Sequence, residues 1–184
     1  ENTMKKLLTR LPLAIAALML VSATPVQAKK PDQQPLNGKI QLTLNLQPCP
    51  DGRFLSWTGT VIINGVTYGW ADEPIIPPET FDAPNEKFFY YEENWTVFEL
   101  EAGENPNTEP SLACHAEAIL NGTNNGWGTS GGAFRADGQV RDSAEDGPFA
   151  DVESGSRMIW RGKAVGPQPP MPGTIFNATL HITR

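Results

Sequence analysis

Three groupings in this 184-residue chain bring together residue types that do chemistry in other proteins. Gly128-Thr129-Ser130-Gly131-Gly132 matches, by letter, the G-x-S-x-G elbow of a serine hydrolase. An elbow needs a strand before the serine and a helix after it. Here a glycine-rich, strand-forming stretch follows, so the context fails. A trypsin-like layout needs a His and an Asp far upstream. His115 lies only 15 residues before Ser130, so Ser130 reads as a turn serine. Asp142, Glu145 and Asp146, with Asp151 and Glu153 nearby, offer the hard oxygens calcium prefers, but not at EF-hand spacing. They read as a solvated acidic loop and as weak calcium candidates.

The third grouping is His115 and Glu117 with Arg157 and Arg161. Turned into a barrel, they would make a buried polar site with shifted pKa values. Polar positions opposite an apolar stripe usually face water, which is the expectation here. Among the aromatics, Tyr68, Trp70, Trp127 and Trp160 are candidates for a pocket or a sugar-stacking patch, with core packing as the plainer reading. Tyr68, Trp70, Trp127, Trp160, Arg157, His115 and Glu117 therefore form the candidate ligand-binding set. No catalytic residue and no cofactor is expected.

The elements that position these residues follow from hydrophobic period. Ile40, Leu42, Leu44 and Leu46 alternate with Gln41, Thr43, Asn45 and Gln47, a strand with one buried face. Asn64-Gly65 is a two-residue hairpin turn, because both central residues need positive φ. It sets Ile63 opposite Val66, Val61 opposite Tyr68 and Gly59 opposite Trp70. On this register Val61, Ile63, Val66, Tyr68 and Trp70 share a face, and the indole of Trp70 covers Gly59. Strands are expected over 87–91 and 95–101, turning at Glu92-Glu93-Asn94. Leu112–Leu120 mixes helix formers with a strand period, and strand is favoured. Phe134, Ala136, Gly138 and Val140 share a face after the Gly126–Gly132 stretch. Met158, Trp160, Gly162 and Ala164 do so in the next strand, and Phe176, Ala178, Leu180 and Ile182 in the last.

Such units, punctuated by Gly, Pro, Asn and Asp, predict an all-β fold. It is a single antiparallel β-barrel of about eight to nine strands, with a β-sandwich as the alternative. First and last strands each have one apolar face, which suits closure by pairing the ends.

The N-terminus specifies a compartment. Lys5, Lys6 and Arg10 precede the apolar run Leu11–Val21, and Val26-Gln27-Ala28 gives small residues where a signal peptidase cuts. The run is too short to span a bilayer. Residues 1–28 therefore read as upstream residues plus a Sec-type signal cleaved after Ala28, 29–37 as a flexible lead-in, and 38–184 as the barrel domain. Glu1-Asn2-Thr3 read as lying ahead of the natural start. Cleavage removes three of 14 basic and one of 21 acidic residues, taking the net charge from −7 to −9. An acidic chain argues against nucleic acid or anionic lipid as the main partner. In an oxidising compartment, Cys49 and Cys114 are most simply one disulfide, with buried thiols or a metal role as alternatives. The bridge would stabilise the fold by about 4 kcal/mol on the chain-entropy model.

Three segments carry a likeness: Gly126–Val140, Gly147-Pro148-Phe149-Ala150 and Pro172-Gly173-Thr174-Ile175-Phe176. They resemble the C-terminal half of allene oxide cyclase and dirigent-type barrels. Those families have a glycine-rich turn, a strand with Phe and Ala before a Gly, and a closing strand led by a Thr-Phe pair. The resemblance implies an eight-stranded antiparallel barrel with a central pocket, often trimeric, and transfers no catalytic residue. The expected protein is secreted or periplasmic and binds a small apolar or aromatic molecule, or a sugar, without catalysis. A cyclase- or isomerase-like enzyme and a structural or adhesion module are the alternatives. Expected partners are a small molecule and, compatibly, further copies of the chain. No nucleic acid and, after cleavage, no membrane are expected.

Overall fold

The computed structural model describes residues 34–75, 88–129, 131–166 and 170–184. The leader, Ser130, and the prolines at 77, 78, 84, 167 and 169 lie outside the described residues. Eight strands form one closed antiparallel barrel in chain order. They are β1 Leu36–Pro48, β2 Phe54–Ile63, β3 Val66–Pro74, β4 Phe88–Phe98, β5 Ala118–Thr129, β6 Ala133–Ser143, β7 Arg157–Val165 and β8 Ile175–Ile182, with a helical turn α1, Leu112–His115, before β5. β1 pairs with β8 from Leu36↔Ile182 to Thr43↔Ile175, so the ends close as their apolar faces imply. The sandwich alternative does not form.

Alternation decides what is inside. Ile40, Leu42 and Leu44 of β1, Phe134, Ala136 and Val140 of β6, and Phe176, Leu180 and Ile182 of β8 are buried in one core. Lys39, Gln41, Asn177 and Thr179, between them, are exposed. Apolar inside and polar outside is the reverse of a barrel whose outer wall faces lipid. Among the described residues no helix is long and apolar enough to cross a membrane. Phe149 and Val152, from the loop after β6, join this core. The Phe149 ring lies 5.2 Å from that of Tyr68.

The β2–β3 hairpin pairs as expected, with Asn64 and Gly65 at φ 52° and 82°. Two of its details differ. Val66, at the strand's start, is 51 % exposed. Trp70 does not cover Gly59. A Cβ there would meet Gln41 O, Leu42 Cα and Asn107 Oδ1, while Trp70 stacks on Trp95 at 5.2 Å. Glycine and aromatic side chains do meet across strands elsewhere. Trp95 lies opposite Gly122 and Tyr91 opposite Gly126, and a Cβ on either glycine would overlap the facing ring. Gly69 stands likewise to Phe98. The glycines of β5 are thus space for large side chains of β4.

Two expectations about elements are corrected. Glu92-Glu93-Asn94 is no turn: β4 runs unbroken through it. Leu112–Leu120 is not one strand. Its first part is α1, and β5 starts at Ala118. The reason is tertiary. Cys114 bonds to Cys49, and both pack with Leu55, Ala71, Phe98 and Ala113 in a second apolar cluster. The 99–117 connection is further tied down where Thr58 Oγ1 donates to Pro106 O and Arg53 Nη2 to Cys114 O.

Gly126→Ala should destabilise the barrel by about 1–3 kcal/mol or more, because its Cβ overlaps the Tyr91 ring. Gly131→Ala, whose Cβ meets only Thr129 Oγ1 at 3.7 Å, should be near neutral. Thermal melts check both. Adding Tyr91→Ala should recover part of the Gly126→Ala loss, giving non-additive costs.

Candidate functional site

Neighbouring strands β3, β4 and β5 put polar side chains on their inward phase. β4 buries Tyr91, Glu93, Trp95 and Val97 while Glu92, Asn94 and Thr96 alternate outward. Glu93 lies opposite Asn124, between the Tyr91–Gly126 and Trp95–Gly122 pairs. Asp72, two residues after Trp70, lies opposite Trp95 on one side and Trp57 on the other. Asp72, Glu93 and Asn124 each expose only 1 % of their surface.

A bulge adds a fourth strand. The β1–β2 register slips between Leu44 and Gln47, a bulge on β1, and beside it consecutive Ser56 and Trp57 of β2 are both buried. The Ser56 hydroxyl lies 3.2 Å from Glu93 Oε1 and 3.2 Å from the Asp72 carbonyl. It has one proton to donate. Both contacts are satisfied when Ser56 donates to the carbonyl and a protonated Glu93 donates to Ser56. Trp70 Nε1 donates to Asp72 Oδ1 at 2.9 Å. The ring of Trp57 packs against Phe134 and Phe176, and Tyr91 stacks on Trp160 at 6.0 Å.

The electrostatics agree with that proton placement. Burial pushes the Asp72 carboxyl up to about 8, and the Trp70 hydrogen bond only partly offsets it. Burial, reinforced by the nearby Asp72 charge, holds Glu93 well above the carboxylate range against the pull of Ser56. Tyr91 is raised by burial and then by the Glu93 and Asp72 charges. Two carboxyls this close and this dry share at least one proton at neutral pH.

Eight buried side chains among the described residues keep a polar atom without a protein hydrogen-bond partner. Six belong to this centre: Asp72 Oδ2, Tyr91 OH, Glu93 Oε2, Trp95 Nε1, Trp160 Nε1 and both amide atoms of Asn124. Each such atom costs about 1–3 kcal/mol, and native interiors keep few of them. The centre offers donors and acceptors together inside aromatic walls.

The residues singled out from the sequence divide. Tyr68, Trp70 and Trp160 are buried in the core, whereas Trp127 is 43 % exposed on the outer wall. His115, the last residue of α1, and Glu117 just after it are exposed, and Arg161 is exposed on β7. Arg157 pairs outside with Asp137 at 2.6 Å. The inward site of His115, Glu117, Arg157 and Arg161 therefore does not form, because α1 belongs to the disulfide cluster and the arginines fall on the outward phase. Asp142, Glu145 and Asp146 are exposed, and among the described residues no three His, Cys, Asp or Glu side chains are grouped to hold a metal ion. Sequence reading missed Asp72, Tyr91, Glu93, Trp95 and Asn124. The available signal was phase: the first four keep step with aromatic or apolar neighbours two residues away, and Asn124 with Gly122 and Gly126. No family model, curated protein or solved structure matches the chain.

Both acids titrate in the folded protein above their unfolded values, near 3.8 for Asp72. The folded chain thus holds more protons between about pH 4 and 8, and stability must fall as pH rises through that window. It is complete below the unfolded value. Melting temperature should drop from pH 5 to pH 8, and Asp72→Asn should flatten the slope while raising the pH 8 value. A pH-independent wild-type melt would contradict the buried acid pair.

Proposed function

We propose that the protein is a ligand-binding barrel acting outside the cytoplasm. It takes up a small, largely apolar or aromatic molecule whose polar group is held by Glu93, Asp72 and Asn124. The observation that carries this reading is the set of six inward side chains with unpartnered polar atoms. A ligand offering one acceptor and one donor would complete them, while Trp57, Trp70, Tyr91 and Trp160 supply apolar contact. Export is supported by the leader-like N-terminus and by the Cys49–Cys114 disulfide. Kinship with allene oxide cyclase and dirigent-type barrels is part of the proposal, resting on the glycine-rich turn and on Thr174-Ile175-Phe176.

One observation favours a second reading, a cyclase- or isomerase-like enzyme. A carboxyl brought to about 8 can both give and take a proton near neutral pH. Asp72 would carry that role. The structural or adhesion alternative draws on exposed apolar residues, among them the cross-strand pair Val165–Ile175.

Titration of tryptophan fluorescence against small aromatic alcohols, ketones and sugars should give a saturable change for at least one class. Glu93→Gln or Asn124→Ala should weaken it by about 5–30-fold, the worth of one buried hydrogen bond or two. If a turnover is found, Asp72→Asn should abolish it. A panel without any saturable response would count against both readings.

A further inference from the structure

Charge is segregated on this barrel. The chain has 21 acidic residues, yet β1, β5, β7 and β8 contain none. The adjoining strand β6 has only Asp137 and Asp142. The outer wall of these five strands instead presents Lys39, Arg135, Arg157, Arg161 and Lys163. Asp137 accepts from Arg135 at 2.8 Å and from Arg157 at 2.6 Å. Burial would push its carboxyl up, but these two arginines hold it below the usual range. Among the described residues, Lys39, Arg161 and Lys163 have no ion-pair partner.

The register lays part of this charge out in a line. Trp127 pairs with Arg135, Arg135 with Arg161, Arg161 with Thr179, and Thr179 with Lys39. Direct cross-strand partners project to the same side, so these five side chains form one row on the outer wall. Four strand spacings make the row about 19 Å long. Arg135 directly opposite Arg161 is a like-charge pair, which by itself destabilises a sheet. Asp137 offsets the charge of Arg135, whereas that of Arg161 is left for an external anion. Trp127 stands at the end of the row. It is the one tryptophan of five that is exposed, the other four being 9 % exposed or less. Beside the row, Gln41 donates to Asn177 at 3.2 Å. Lys39, Arg161, Asn177 and Thr179 help line a shallow depression of about 330 Å³.

We propose that this wall binds an acidic polysaccharide, a chain of uronate or sulfated sugars lying across strands β5, β6, β7, β8 and β1. Cations spread along a line fit a repeating anion better than a single phosphate, which several groups would surround at one point. The exposed indole offers a flat apolar surface for a sugar ring. Thr179, Asn177 and Gln41 supply neutral hydrogen bonds suited to hydroxyls. The acidic remainder of the chain repels the same polymer and so confines contact to this face. This surface is separate from the barrel interior and does not depend on what that interior binds.

The test is affinity electrophoresis or calorimetry of the full processed chain with polygalacturonate and heparin at low salt, with dextran as the neutral control. The acidic polymers should bind, weaken with salt, and leave dextran unbound. Lys39→Glu with Arg161→Glu should cost about tenfold or more in affinity. Trp127→Ala should weaken polygalacturonate several-fold but leave inorganic polyphosphate unchanged. Glu93→Gln should leave all of this unaltered. Unchanged circular dichroism would show each variant folded. No binding of either acidic polymer, or equal binding by the Lys39/Arg161 double variant, would overturn the proposal. Single-stranded DNA or anionic vesicles binding as tightly as polygalacturonate, with Trp127→Ala without effect, would also overturn it.

Discussion

Hydrogen bonding between β1 and β8 is the constraint everything else answers to. Once the last strand pairs with the first, the sheet has no edge, and its inward side chains must fit one fixed volume. An eight-stranded barrel is just wide enough to be filled by side chains. This chain meets that limit with unequal partners. β4 supplies Tyr91 and Trp95, and β5 answers with Gly126 and Gly122. The fit is made by pairs, so neither strand's composition makes sense alone.

Closure also traps whatever is in phase. Asp72 and Glu93 cannot turn outward without reversing the whole alternation of β3 and β4. They are therefore held dry and close together, where protonation is cheaper than charge. Ser56 and Trp70 satisfy one oxygen of each acid and leave the other without a protein partner. Interiors built only for stability keep leucine at such positions. Retention of two acids, an amide and three further unpartnered donors among aromatic rings is the kind of local rule-breaking that accompanies binding or catalysis.

The outer wall obeys the other half of the alternation. There the constraint is water and charge rather than volume, so its residues are free to differ around the circumference. They do: cations gather over β6 and β7, while Glu73, Glu92, Glu99, Glu101 and Glu104 lie on β3, β4 and the following connection. Interior and exterior can thus carry separate tasks on the same strands. Arg135 and Arg161 project from the positions next to Phe134, Ala136 and Trp160 without touching the core's requirements.

Much of this barrel was written locally. Alternation in β1, β6, β7 and β8, the Asn64-Gly65 turn with its register, the two matching end strands and the paired cysteines are all short-range or compositional signals. They determined an all-β fold and favoured a closed sheet with a disulfide over a sandwich with free thiols. What they did not determine depends on contacts between distant segments. Glu92-Glu93-Asn94 has the polarity of a turn, and only pairing with β5 shows it to be mid-strand. Ala113 and Cys114 follow the disulfide cluster into a helical turn, against their strand-like period. The polar centre is assembled from β2, β3, β4, β5 and β7, residues up to about a hundred positions apart. Sequence period states which side of a strand a residue takes; closure alone decides that this side is an enclosed interior, and so turns an acidic residue among apolar ones into part of a site.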